Sequence, residues 1–264
     1  MVEWLYSLPT RQLAIYCSAF FVVVTWLGLI FVRPFLRLWV RRQEACNELV
    51  AYAYSGFSVF YGLLIGLLAV AAYQNLEKVQ GAVGLEASQL ARLYRAAAGY
   101  PEPWRSDIQA MLRDYTLYVI QKDWPAQRQG RVNQGGALRM TVIESTLISY
   151  EPQTKTQEIL HTQNLQAFED LATARQQRLL AQRIQLPGVL WYVVGIGAGV
   201  NLVLFWLLEA RFAVHVLLGG IVSLFLGVMV FLLVAMDRPI RGRVGVSADL
   251  YQTVYSYVMR WDEK

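Results

Sequence analysis

Charged and apolar residues are strongly segregated along this chain. Residues 13–32, 49–73, 184–208 and 212–236 contain no Asp, Glu, Lys or Arg. About 20 apolar residues are enough for a helix to cross a hydrocarbon layer near 30 Å thick. All four runs reach that length, so four transmembrane helices are predicted. Only Glu209-Ala210-Arg211 separates the last two, which makes them a tight antiparallel hairpin.

Between the second and third runs the pattern changes. Across residues 74–185 apolar side chains recur at intervals of three and four, the period of a half-buried helix. Leu76, Val79, Val83, Leu90 and Leu93 form one stripe, interrupted by Glu86. Gly99-Tyr100-Pro101-Glu102-Pro103 then supplies a glycine past a helix end and prolines at the next start. A second helix presents Trp104, Ile108, Met111, Leu112, Tyr115 and Val119 on one face and ends near Trp124-Pro125. A loop over 129–136 precedes a shorter helix at about 138–148, and a long helix runs from about 156 to 183, where Pro187 marks its join to the third span. In the tail, Leu250, Val254, Tyr257 and Val258 predict a short amphipathic helix lying on the soluble segment or on the membrane surface. Residues 34–48 predict an amphipathic connector at the headgroups.

The expected fold is therefore all-α: a polytopic membrane protein with four transmembrane helices and a helical cytoplasmic domain inserted between the second and third. Residues 13–73 hold the first two spans and their connector, and 74–185 the soluble domain. Residues 184–236 form the second hairpin and 237–264 a C-terminal segment.

Composition agrees with a membrane setting. Hydrophobic residues make up 56% and charged residues 16%, against roughly 45–50% and 25% in an ordinary soluble domain. The net charge of +5 rests far more on arginine than on lysine. Near the span ends, Arg11, Lys78, Arg92, Arg95, Arg175, Arg178, Arg183, Arg238, Arg241 and Arg243 fall on one side. Arg33, Arg37, Arg41, Arg42 and Arg211 fall on the other. Basic residues favour the cytoplasmic side, so both termini and the middle segment are expected there, in the cell membrane. The middle segment has 13 basic and 11 acidic residues, a nearly neutral surface that gives no reason to expect nucleic acid as a partner.

Candidate chemistry is sparse. Cys17 and Cys46 have no metal spacing, and His161 and His215 stand apart from any nucleophile context. Gly195-Ile196-Gly197-Ala198-Gly199 lies in a span and lacks the Lys-Ser/Thr of a phosphate loop. No enzyme activity, metal or cofactor is expected. Glycines four residues apart let helices approach closely in lipid, so Gly195 and Gly199 are expected at a helix contact, within the chain or between subunits. Gly62 and Gly66 have the same spacing. Asn201, polar and deep in a span, is expected to hydrogen-bond a neighbouring helix. Spans without a charged residue argue against a pump or coupled carrier, and leave a passive pore or a non-conducting scaffold.

Several local stretches carry a family likeness. They include Phe60-Tyr61-Gly62-Leu63-Leu64, Tyr73-Gln74-Asn75-Leu76-Glu77, Leu93-Tyr94-Arg95 and Gly99-Tyr100-Pro101. Further on come Ala174-Arg175-Gln176-Gln177-Arg178-Leu179, Leu186-Pro187-Gly188-Val189-Leu190-Trp191 and Met236-Asp237-Arg238-Pro239-Ile240-Arg241-Gly242. Over about residues 47–260 the chain resembles the bestrophin-like membrane family, and more distantly the bestrophins, which are pentameric anion channels. The resemblance implies a homo-oligomer, a pentamer, in membrane lipid, conducting an anion such as chloride. It also implies a pore neck formed by the second span. Ser55, Val59 and Leu63 would then face the pore, with Gly62 and Gly66 beside them. The chain departs from bestrophins in lacking large aromatics on that stripe, since Phe57, Phe60 and Tyr61 fall on other faces. An acidic calcium clasp has no counterpart beyond Asp262 and Glu263. The alternative reading is a membrane scaffold or signalling protein whose cytoplasmic helices bind a partner. A proton-driven stator subunit shares the same layout.

Overall fold

The computed structural model describes residues 9–39, 44–240 and 245–260. Among them all regular structure is helical. The chain divides into two compact units. One comprises the N-terminal part to Gln74 with residues 185–238, and the other comprises 75–184 with the C-terminal segment. Asp262 and Glu263 lie outside the described residues.

In the membrane unit, α1 (Thr10–Leu27) continues through a π-helical turn, Gly28–Val32, into α2 (Arg33–Trp39). The third helix, α3 (Glu44–Ala96), contributes its first half to this unit, and α8 (Gly188–Leu207) and α9 (Phe212–Asp237) complete it. Among the described residues four helices are long and apolar enough to cross a membrane: Thr10–Leu36, Cys46–Gly99, Gly188–Leu207 and Phe212–Asp237. Within the connector expected over 34–48, residues up to Trp39 continue the first helix and those from Glu44 begin the next. Residues 40–43 lie outside the described residues. The third span starts at Gly188, four residues later than expected, because Pro187 sits at its N-cap position.

Close approach fixes the pairing of these helices. A side chain on Gly227 would meet the Ser18 backbone at 2.6 Å, and one on Gly219 would meet Thr25 at 3.2 Å. Together with the Trp26 indole N–H donating to the Val216 carbonyl at 3.2 Å, this sets α1 antiparallel to α9. On the other pair, the Tyr61 hydroxyl donates to the Val194 carbonyl at 2.9 Å. Asn201 Nδ2 donates to Ser58 Oγ at 3.1 Å, and Tyr54 packs on Phe205. As position rises in α3 it falls in α8, so these two also run antiparallel. With no water to satisfy them, such polar groups must find partners inside the protein.

The soluble unit is built from the second half of α3 together with α4 (Trp104–Tyr118), α5 (Trp124–Arg128), α6 (Gly135–Ile148) and α7 (Lys155–Ala181). The C-terminal α10 (Asp249–Val254) with the π-helical turn Tyr255–Met259 closes it. Its core joins Val79, Val83, Leu90 and Leu93 of α3 to Ile108, Leu112 and Tyr115 of α4, Ile143 and Leu147 of α6, and Leu171 of α7. The helix starts follow local signals. Thr154 caps α7 by accepting from Gln157 N at 3.2 Å, one of the orphan amides of a first turn. The tail joins this core, which settles where its helix lies. However, Tyr251 and Met259 are the buried side chains, while Leu250 and Tyr257 of the expected stripe are exposed. Val254 and Val258 of that stripe do pack against the core, and the π-helical turn after Val254 shifts the register so that Met259 joins them.

Candidate functional site

The stripe expected to line a pore lies on the membrane half of α3. Ser55, Val59, Gly62, Leu63 and Gly66 are all exposed in the single chain, with Val59 at 68% and Leu63 at 61%. Positions 55, 59, 62, 63 and 66 fall on one helical face. Nothing lies within 4 Å of where a side chain on Gly62 or Gly66 would point, so no other helix among the described residues covers this face there. The opposite face, with Tyr61, Ile65 and Leu68, is buried against α8 and α9.

In α8, Gly195 and Gly199 also open onto free space, and the close helix contact is made instead by Gly197 between them. A Cβ there would strike the Tyr61 ring, so the glycine run admits an aromatic side chain on one face and leaves the other bare. Asn201 is buried and bonded to Ser58. His215 is buried against the Phe205 ring, its Nε2 3.0 Å from the Phe205 carbonyl oxygen. Arg33 Nη2 donates to the Ala210 carbonyl at 2.9 Å, tying the end of the first span to the hairpin loop.

The soluble unit contains a buried charge centre whose assembly sequence reasoning missed. Glu86, which interrupts the apolar stripe of α3, is 0% exposed and pairs with Arg178 of α7, also 0% exposed. Arg178 Nε donates to Glu86 Oε2 at 2.5 Å and Nη1 to Gln127 Oε1 at 2.9 Å. The Tyr115 hydroxyl donates to Glu86 Oε1 at 2.6 Å. Trp124 and Tyr251 place their rings about the same guanidinium, each with its centroid 5.9 Å from Cζ. Burial lowers the proton affinity of Arg178, but the charge of Glu86 outweighs it and holds the guanidinium firmly charged. Burial and then the Glu86 carboxylate push the Tyr115 and Tyr251 phenols well above their ordinary value. The guanidinium thus stays charged with neutral tyrosines around it. The only signal in the sequence was a charged residue in an apolar helical stripe, and that is a position where burial demands a partner.

An open depression of about 420 Å³ lies at the starts of α4 and α7, lined by Glu102, Trp104, Tyr150, Glu151 and Gln157 among others. The Glu102 carboxylate is engaged locally. It accepts from Ser106 N at 3.2 Å and pairs with Arg105 at 2.5 Å, and the Ser106 contact foremost holds its pKa below the usual carboxylate range. Behind it His161 Nδ1 lies 2.7 Å from the Tyr100 hydroxyl, against the Tyr150 ring. Among the described residues no three His, Cys, Asp or Glu side chains are grouped to hold a metal ion.

Charge-free spans in antiparallel pairs, a helix that runs unbroken from the membrane unit into the soluble one, and a C-terminal segment returning to the soluble core define a class: a four-span helical membrane protein with an inserted helical unit. The Bestrophin-like domain model matches residues 19–251, and the chain belongs to the bestrophin-like family. No curated protein sequence matches it. Its fold is similar to that of a substituted form of a bacterial bestrophin homologue from Klebsiella pneumoniae, with a TM-score of 0.71, 12% identity, and 95% of this chain and 99% of that one covered. A second substituted form of a homologue from the same organism gives 0.65 and 11%, covering 91% and 97%. A structure described as a membrane protein gives 0.66 and 11%, covering 91% and 95%.

Proposed function

We propose that the chain assembles with further copies of itself, five in the favoured arrangement, into a passive ion channel for anions such as chloride, with α3 lining the pore. The observation behind this reading is the uncovered α3 face of Ser55, Val59, Gly62, Leu63 and Gly66. Four apolar spans cannot enclose a water-filled path by themselves, so a pore needs neighbouring copies. A face of small and apolar residues suits a constriction that gates by wetting and drying. Membership of a family named for bestrophins, and a fold like that of a bacterial bestrophin homologue, support the same assignment. The ten-to-five excess of basic residues supports a cytoplasmic location for both termini.

Native mass measurement in a lipid environment tests the assembly, and anion flux from proteoliposomes tests conduction. A closed ring together with chloride flux altered by Leu63→Ala or Gly66→Leu is expected. Flux unchanged by both substitutions removes α3 from the pore wall. A monomer without flux overturns the channel and favours a scaffold whose soluble helices bind a partner.

A further inference from the structure

We propose that Asp123 is a proton-binding site of the soluble unit: a sequestered carboxylate, spaced from Arg175 by the Gly136 backbone, that takes up a proton on acidification and so removes a poorly compensated internal charge. Its position is set by the backbone. Asp123 closes the π-helical turn Val119–Asp123, between α4 and α5, and such turns insert one extra residue into a helix, frequently at functional sites. The turn rotates the carboxylate inward, where it is 1% exposed. It makes no hydrogen bond or ion pair among the described residues, and its Oδ1 is buried without a partner. A carboxylate in that state is costly in its charged form, because burial removes its hydration and nothing replaces it.

The charged groups that act on it come from three elements: Glu86 from α3, Arg139 from α6, and Arg175 and Arg178 from α7. Two of the cations are committed elsewhere. Arg178 is held by Glu86 and Gln127, and Arg139 Nε by Asp114 Oδ2 at 2.7 Å. Arg175 is the remaining counterion, and its Nε is itself buried without a partner.

Gly136 sits between the two. A Cβ there would lie 2.6 Å from Asp123 Oδ2 and 3.0 Å from Arg175 Nη2. Both groups therefore border one notch that only glycine leaves open, and they face each other across it without direct contact. Burial raises the proton affinity of Asp123, the charges of Arg178 and Arg175 lower it, and Glu86 raises it again; the net direction is upward from 3.8. Unlike Glu86, which accepts from Arg178 and Tyr115, Asp123 has a buried carboxylate oxygen with no hydrogen-bond partner among the described residues.

The test uses the full-length protein in lipid nanodiscs. Infrared difference spectra between neutral and progressively acidic buffer read the carbonyl band of a protonated carboxylic acid. Wild type is expected to show such a band developing above pH 3.8, and Asp123→Asn to lose it. The same direction appears in thermal unfolding. The folded state binds this proton more readily than the unfolded one, so as pH falls through that window the Tm of wild type rises relative to Asp123→Asn. Arg175→Gln removes the remaining counterion and should move the band to higher pH. Spectra of wild type and Asp123→Asn that coincide, or a band in Arg175→Gln that does not move, overturn the proposal. If Asp123→Asn fails to fold, the direction of the Arg175→Gln shift decides alone. A protein that conducts nothing would show the same band, so failure here is separate from failure of the channel reading.

Discussion

Replacing Glu86 by alanine probes the centre that holds α3, α4 and α7 together. The carboxylate is 0% exposed and accepts from Arg178 at 2.5 Å and from Tyr115 at 2.6 Å. Glu86→Ala leaves the Arg178 guanidinium charged and dry, with Gln127 at 2.9 Å as its remaining hydrogen-bond partner. Breaking one partner out of a buried pair costs about 3–5 kcal/mol. Against a total stability of roughly 5–15 kcal/mol, that is a large loss. The exposed pair Arg92–Asp170, at 2.9 Å, is the control, and Asp170→Ala should cost at most about 1 kcal/mol. Removing both buried charges together, Glu86→Leu with Arg178→Met, should restore stability to within about 2 kcal/mol of wild type, because neither ion is then stranded. Denaturant unfolding of the purified full-length protein, followed by tryptophan fluorescence, measures the three variants against wild type. Glu86→Ala no worse than Asp170→Ala, or a double variant worse than Glu86→Ala, would refute the reasoning.

Two further expectations concern packing and pH. Gly227→Ala should destabilise by about 1–3 kcal/mol, since the added Cβ would lie 2.6 Å from Ser18 backbone that cannot move aside. Gly195→Ala, which points into open space, should leave the monomer's stability unchanged, and thermal shifts of the two compare them directly. Burial holds His161 below its ordinary 6.5. The unfolded chain then takes the proton first, so this contribution to stability is full above pH 6.5 and is lost as pH falls from there through the lower pKa of the folded state. His161→Gln should flatten that part of the Tm–pH curve. An unchanged curve would show that His161 titrates alike in both states.

Much of the architecture was legible because lipid imposes a coarse rule. A run of 20 residues without a charge has few alternatives to a transmembrane helix, and each of the four runs, 13–32, 49–73, 184–208 and 212–236, coincides with a helix long enough to span. The soluble helices were equally readable in type, since their apolar residues return every three to four positions. Boundaries were less so. The transition at Tyr73-Gln74 marks where apolar character stops, yet the backbone continues as one helix to Ala96, because hydrogen bonding within a helix is indifferent to whether lipid or water surrounds it.

Contact partners were beyond reach of the sequence. Glu86 and Arg178 stand 92 positions apart, and nothing local says that each is the other's counterion. Gly195, Gly197 and Gly199 look alike in a glycine run, and only the position of Tyr61 on a different helix makes Gly197 the one that must be small. The π-helical turns at Val119–Asp123 and Tyr255–Met259 shift the register by one residue, and Asp123 and Met259 at their ends are buried. Periodicity and charge density are local properties and were determined by the sequence alone. The pairing of distant charges, and the choice of which small residue lies at a contact, depend on where whole helices come to rest, and only the tertiary structure decided them.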